Sequence, residues 1–266
     1  MPAGKPTLTF KPMLIALTRP VSPTINDCEL THLARSPIDI ALAQVQHEKY
    51  ERTLKDLGCQ VYRVVPAPEL PDAVFVEDSA VVLDEIGIVT RPGAPSRRAE
   101  TAQVAEALRP LRLLRQIEEP GTLDGGDVLR VNRTLFVGRS GRTNDEGIAQ
   151  LESFATPFGY VVVPVETTGC LHLKTAVTEV ADGTLLMNPR WVDPARFAGF
   201  RLIECDPTEP FAANALRIGD SVLHAAAWQR TRERLELGGI AVVPVDASEL
   251  AKAEAGVTCC SVVFAA

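Results

Sequence analysis

Gly159-Tyr160-Val161-Val162-Val163-Pro164-Val165-Glu166 returns further along the chain as Gly239-Ile240-Ala241-Val242-Val243-Pro244-Val245-Asp246. Each is a glycine followed by an apolar, β-branched run of strand length. What precedes them is repeated too. Leu129–Val137 and Leu216–His224 both read as hairpins around a polar turn. A helical pattern follows each hairpin, from about Asn144 to Phe158 and from about Gln229 to Leu237. Gly159 closes the first helix and Gly238-Gly239 the second. A third copy spans Ala80–Thr90, turning at Asp84–Gly87, with a helix expected from Ser96 to Leu108. A fourth hairpin turns at Ala181–Thr184. Nearer the N-terminus, Ser36-Pro37-Ile38-Asp39 reads as a helix cap, a proline at the first helical position and an acid in the first turn. That helix is expected to stop at Gly58 and to hand over to a strand at Gln60–Val65.

Self-similarity at a period of roughly 40–50 residues predicts a propeller or array rather than a doubly wound sheet. Each unit reads strand–hairpin–strand–helix–strand, so an all-β blade is excluded. About five such units fit into 266 residues, and no Pro/Gly/Ser-rich linker separates them. The expectation is one α/β domain over residues 1–266, with residues 1–11 a loose leader before the first strand.

Composition bounds the function. Hydrophobic residues are 46% and charged residues 23%, which excludes disorder and low-complexity architecture. Twenty-seven Lys+Arg against 34 Asp+Glu leave a net charge of −7, so a phosphate-binding or nucleic-acid-binding surface is not expected. A small cationic substrate suits that charge better. No apolar run approaches the ~20 residues of a membrane span, and no secretory signal pattern is present. The six cysteines are widely spread and include no CxxC pair, so reduced thiols in a cytoplasmic protein are expected and a structural zinc site is not.

Five features stand apart from fold punctuation. Asp72-Ala73-Val74-Phe75-Val76-Glu77-Asp78 sets three acids around an apolar strand-like pattern, in which Glu77 and Asp78 would face opposite sides. Gly121-Thr122-Leu123-Asp124-Gly125-Gly126-Asp127 flanks paired glycines with carboxylates, as a tight turn or a close backbone approach to a ligand would require. His172, one of four histidines, sits between two leucines. Gly256-Val257-Thr258-Cys259-Cys260-Ser261 offers a candidate nucleophile, and adjacent cysteines in one strand would face opposite ways. Arg97 and Arg142 lie at equivalent hairpin-to-helix junctions and could converge on one carboxylate. Taken singly, each is equally compatible with a solvated strand end, an ordinary loop, a core residue or a surface arginine.

Together they resemble the dimethylarginine dimethylaminohydrolase family, within the guanidine-modifying superfamily that includes arginine deiminases and amidinotransferases. The resemblance rests on FVED (Phe75–Asp78), TRPGAPSRRAET (Thr90–Thr101), LDGGD (Leu123–Asp127), GRSGRTNDEG (Gly138–Gly147), LHLKT (Leu171–Thr175) and TCCSV (Thr258–Val262), in that order. It implies a five-bladed α/β propeller (pentein) of ββαβ repeats with pseudo-fivefold symmetry. It also implies roles. Cys259 would be the nucleophile and His172 the general acid and base, with Asp124 and Asp78 holding the guanidinium. Glu77 would support that end of the substrate. Asp72 and the backbone of Leu30 would hold the α-amino group, and Arg97 and Arg142 the α-carboxylate. The reaction implied is hydrolysis of asymmetric dimethyl-L-arginine, or monomethyl-L-arginine, to citrulline and a methylamine, through a covalent thiouronium. No cofactor and no metal are implied, and zinc on Cys259 would inhibit. Relatives can be homodimers. Arginine deiminases usually carry an inserted helical domain, for which this chain has no room. A non-catalytic propeller would not need the Cys259, His172, Asp78 and Asp124 set.

Overall fold

The computed structural model describes residues 13–266; the leader expected at residues 1–11 lies outside them. The chain opens with β1 (Leu14–Thr18), α1 (Ile40–Asp56) and β2 (Cys59–Arg63). Then come β3 (Ala80–Val82), β4 (Ile86–Val89), α2 (Thr101–Leu108) and β5 (Leu113–Gln116). They are followed by β6 (Val128–Val131), β7 (Thr134–Arg139), α3 (Asp145–Ala155) and β8 (Val161–Glu166). A four-residue helix, α4 (Leu173–Ala176), precedes β9 (Val177–Ala181), β10 (Thr184–Met187) and β11 (Arg201–Glu204). The chain ends with β12 (Ala215–Ile218), β13 (Ser221–Ala225), α5 (Gln229–Leu237), β14 (Ala241–Val245), α6 (Ser248–Ala251) and β15 (Val262–Ala265).

These strands form five three-stranded sheets: β3-β4-β5, β6-β7-β8, β9-β10-β11, β12-β13-β14 and β15-β1-β2. Each is an antiparallel pair with a third strand added parallel. In four of them the pair is a hairpin. In the fifth, β15 from the C-terminal end pairs with β1 from the N-terminal end, Leu14 opposite Ala265, which the repeat pattern did not reveal. The quoted repeats are the outer parallel strands, and their registers match: Val137 faces Pro164 as His224 faces Pro244. Both prolines lie on edge strands, where a missing N–H breaks no ladder.

The core is divided into five clusters, each joining two sheets. Ile15 and Phe264 pack with Ala80 and Val82. Ile88 packs with Val128 and Leu135, and Phe136 and Val165 with Val177 and Leu185. Val180 and Leu186 meet Val222, and Leu223 and Val245 return to Ala16 and Cys59. No helix of the described residues is long and apolar enough to cross a membrane.

Most helix ends fall where expected. Asn144 caps α3 by accepting from Gly147 N at 2.9 Å, and Gly159 leaves the following turn at φ +79°, a conformation costly for any side chain. Four expectations need correction. Ser36 does not cap α1 and Pro37 is not in it; Asp39 is the cap, accepting from Leu42 N at 3.0 Å. The reason is Asn26, whose side chain bonds both Ile38 N (2.8 Å) and Ile38 O (3.1 Å) and holds the preceding residues out of the helix. The Ser96–Leu108 helix is a 3-10 turn, Pro95–Glu100, before α2 begins. The strand expected around Glu77 and Asp78 is a 3-10 turn, Val76–Ser79. Cys259 and Cys260 lie in a turn ahead of β15, not in a strand.

Candidate active site

The Val76–Ser79 turn throws its two acids apart, because 3-10 geometry rotates consecutive side chains by roughly 120°. Asp78 accepts from Arg97 Nη1 at 2.7 Å and from Gly126 N at 3.0 Å. Glu77 turns the other way, pairing with Lys174 Nζ at 2.6 Å and accepting from Thr258 Oγ1 at 2.7 Å. A second 3-10 turn, Gly125–Asp127, packs against the first. The paired glycines of LDGGD are explained here. A Cβ on Gly125 would sit 2.0 Å from Glu77 O, and one on Gly126 would sit 2.6 Å from His172 Nδ1 and 2.7 Å from Asp78 Oδ1.

His172 is placed by that approach. Its Nε2 meets Asp124 Oδ2 at 3.0 Å and its Nδ1 lies 3.8 Å from Asp78 Oδ1. Asp124 is fully buried, and its other oxygen accepts from Gly93 N at 2.9 Å. Asp127 fixes the next residue, Leu173, through its N–H at 2.9 Å, and is itself held by Ser140 and Thr143. Asp78, Asp124 and His172 bring ligand-type atoms within 4.8 Å of one another. Those atoms already form mutual ion pairs, which accounts for the cluster without a cation.

Cys259 is half-buried, and Gly256 N approaches its Sγ at 3.3 Å. Asn214 grips the preceding residue twice, accepting from Thr258 N at 3.0 Å and donating to Thr258 Oγ1 at 2.9 Å. Tyr50 donates to Val257 O at 2.9 Å and meets Ser261 Oγ at 2.7 Å, bracketing the thiol from both sides. Cys260 is 3% exposed in the core cluster around α1, where burial raises its thiol pKa far above the ordinary value.

One cavity is lined by Asp72, Asp78, Arg97, Arg142, His172 and Cys259. Six of the nine expected site residues therefore meet in it. Asp124 sits directly behind His172. Leu30 is half-buried beside it, its neighbour Glu29 N bonded to Asp72 Oδ2 at 3.1 Å. Glu77 is not among the lining residues; it forms a buried ion pair with Lys174 beneath the Cys259 turn. Arg97 is 4% exposed and most of its donors are spent on Asp78, on Glu100, and on the backbone oxygens of Asp72 and Phe75. Arg142 is freer. Its Nη2 reaches Thr31 Oγ1 at 3.3 Å, and its Nη1 is buried without a hydrogen-bond partner. A larger, mostly apolar cavity of about 240 Å³ lies across the 253–257 segment, but the reactive cluster is not in it.

The charges are strongly coupled. Burial pulls the His172 pKa down, but Asp78, the Asp124 hydrogen bond and Asp127 outweigh it and raise it to about 9. Burial raises the Asp78 pKa, yet His172 and Arg97 bring it to about 2. For Cys259, burial, Glu77 and Asp78 all act upward, and the thiol is pushed to about 12. These surroundings favour the imidazolium form of His172 and the thiol form of Cys259.

A family model described as "N,N dimethylarginine dimethylhydrolase, eukaryotic" matches residues 26–187. An N(G),N(G)-dimethylarginine dimethylaminohydrolase of Streptomyces coelicolor is 43% identical, over 93% of this chain and 95% of its own. The chain belongs to the dimethylarginine dimethylaminohydrolase family. The enzyme of that name from Pseudomonas aeruginosa is 34% identical, over 94% of this chain and 98% of its own. A solved structure of a Pseudomonas aeruginosa dimethylarginine dimethylaminohydrolase mutant complexed with citrulline superposes with a TM-score of 0.91 at 33% identity, covering 95% of this chain and 100% of that one.

The motif reading named six residues that line the cavity and missed Glu254 in its wall, along with the residues behind it. Lys174, Asn214 and Tyr50 carry no recognisable catalytic motif, and only tertiary packing brings them to the Cys259 turn, in which Thr258 itself lies. Lys174 and Thr258 stood inside LHLKT and TCCSV, which was the one signal available for them.

Proposed function

We propose that this protein hydrolyses asymmetric dimethyl-L-arginine, and monomethyl-L-arginine, to L-citrulline and the methylamine through a covalent intermediate on Cys259. The observation that carries the proposal is His172 held between Asp124 and Asp78 in the same cavity as a half-buried thiol. The citrulline complex of the Pseudomonas aeruginosa relative agrees with the product.

Asp78, which faces the cavity, holds the guanidinium and keeps it charged, which makes its carbon the better electrophile; Asp124, behind His172, holds the imidazole instead. The incoming cation offsets the carboxylates that oppose thiolate formation, and Cys259 gives up its proton to solvent as substrate settles. The thiolate attacks the guanidinium carbon, forming the C–S bond. His172 gives its proton to the dimethylamine nitrogen as the C–N bond breaks. The amidino carbon stays on sulfur as a thiouronium. Neutral His172 then takes a proton from water, hydroxide adds to the same carbon, and the C–S bond breaks to release citrulline and the thiol. At the other end Asp72 and the Leu30 carbonyl hold the α-ammonium, and Arg142 with Arg97 holds the α-carboxylate. The unpaired Nη1 of Arg142 supports that assignment.

Residues 1–266 form one domain in this proposal, and its five sheets close into a five-bladed propeller. The support is cyclic packing: five clusters link the sheets in a round, and the last sheet joins both chain ends. Six unpaired cysteines suit a cytoplasmic location. A homodimer is part of the same reading, and exposed Leu113 on β5 and Val161 on β8 offer apolar surface for it.

The test is product identity. Citrulline and dimethylamine in equal amounts from asymmetric dimethyl-L-arginine, and neither from the Cys259→Ser protein, are expected. Ammonia and citrulline from unmethylated arginine alone would replace this reading with a deiminase.

A further inference from the structure

Glu254 is unusual on three counts. It is a non-glycine residue at φ +59°, a left-handed conformation that L side chains adopt at a cost. Its Oε1 accepts from three consecutive backbone N–H groups, Thr31 at 2.9 Å, His32 at 2.5 Å and Leu33 at 2.6 Å. Its Oε2 is buried without a hydrogen-bond partner. Successive N–H groups converging on one oxygen form a nest, normally an anion site. Here the anion belongs to the chain itself, and it stands in the wall of the cavity that holds Cys259.

The consequence follows from peptide geometry. A trans peptide unit is planar, and its C=O and N–H point in opposite directions. The Thr31 N–H shares its unit with the Leu30 carbonyl, and the bond is trans. Pinning the Thr31 N–H on Glu254 therefore aims the Leu30 carbonyl away from Glu254. On the other side of Leu30, the Glu29 N–H is held by Asp72 at 3.1 Å. The chain is thus held by a carboxylate one residue before Leu30 and one after it, and the Leu30 carbonyl cannot rotate without breaking the Thr31 bond to Glu254. Thr31 also receives Arg142 Nη2 at 3.3 Å, so the same residue touches the group assigned to the α-carboxylate.

We infer that Glu254 is a positioning residue that fixes the Leu30 carbonyl for the substrate's α-ammonium group and so sets the preference for α-amino acids. The inference rests on the proposed function, in which that carbonyl and Asp72 hold the amino end. Glu254 touches no reacting atom. Its effect belongs to substrates that carry an α-amino group, and a general ordering of the loop would not discriminate in this way.

The experiment is steady-state kinetics of the full chain on two substrates, asymmetric dimethyl-L-arginine and its des-amino analogue, 5-(dimethylguanidino)pentanoate. Glu254→Gly suits the left-handed backbone and removes the carboxylate. Glu254→Gln keeps an acceptor oxygen without the charge, and remains informative should the glycine variant fold poorly. The glycine variant is expected to raise KM for the amino acid roughly tenfold or more. Its kcat should stay within a few-fold, and its KM for the des-amino analogue should not change. The glutamine variant should fall between it and the native protein. Equal losses on both substrates, or none on either, would overturn the role of Glu254. Native protein inactive on the methylated amino acid would overturn the proposed function together with this inference, so the two failures are distinguishable.

Discussion

His172 and Cys259 are pushed in the same direction by one carboxylate, with opposite meaning for their charge. Asp78 holds the imidazolium charged and resists the thiolate. On the proposed mechanism the acid is therefore loaded before substrate arrives, and the nucleophile is released by the cationic substrate. For His172 the folded pKa of about 9 exceeds the ordinary 6.5. Its ion pairs thus stabilise the fold fully below pH 6.5, and that contribution is lost as pH rises through about 9. An imidazole nitrogen NMR titration of the substrate-free protein should place the His172 midpoint near pH 9. A midpoint at or below 6.5 would contradict the pairing with Asp78 and Asp124. Asp78 acts at the other extreme. Its pKa is depressed to about 2 from 3.8, so its stabilisation is present above pH 3.8 and is lost as pH falls to about 2.

At the scale of elements, the site is made by two short turns crossing rather than by any helix or strand. Gly125 is the tightest point of that crossing, and Gly126 is the point where it presses on His172 and Asp78. Gly126→Ala should destabilise by about 1–3 kcal/mol, as overpacking typically does. It should cost turnover as well, since the added methyl must displace His172 or Asp78. Denaturant melts and a rate assay check this, and native values in both would mean that the close approach is not needed. The strands and helices were legible because their signals are local: Gly159 after an apolar stripe, Asn144 before one, a hairpin turn between two short β-branched runs. The turns were not. Val74-Phe75-Val76 has the β-propensity of a strand. The residues that follow form a 3-10 turn whose acids are held by Arg97 and Lys174, partners that no local pattern reveals. The Asp39 cap was hidden for a similar reason: Asn26, a distant residue, unwinds the first turn that Ser36 and Pro37 would start.

For the whole molecule, repeats in the sequence located four sheets, while the fifth is assembled from the two ends of the chain. β15 follows the nucleophile turn almost directly, so the pairing of Val262 with Leu17 anchors Cys259 to the N-terminal strand. Removing residues 262–266 should therefore abolish turnover and lower the melting temperature markedly. A truncated chain with native activity would contradict closure through β15. The same arrangement draws residues from Asp72 to Cys259 into one cavity, and the central claim is that they serve a single covalent step. The most direct test is acid quench of the native protein during turnover of asymmetric dimethyl-L-arginine, with intact mass and peptide mapping. The expected result is an adduct equal to substrate minus dimethylamine, carried by Cys259 and absent from Cys260. Sustained release of citrulline with no adduct under any quench time, or an adduct on Cys260, would contradict it.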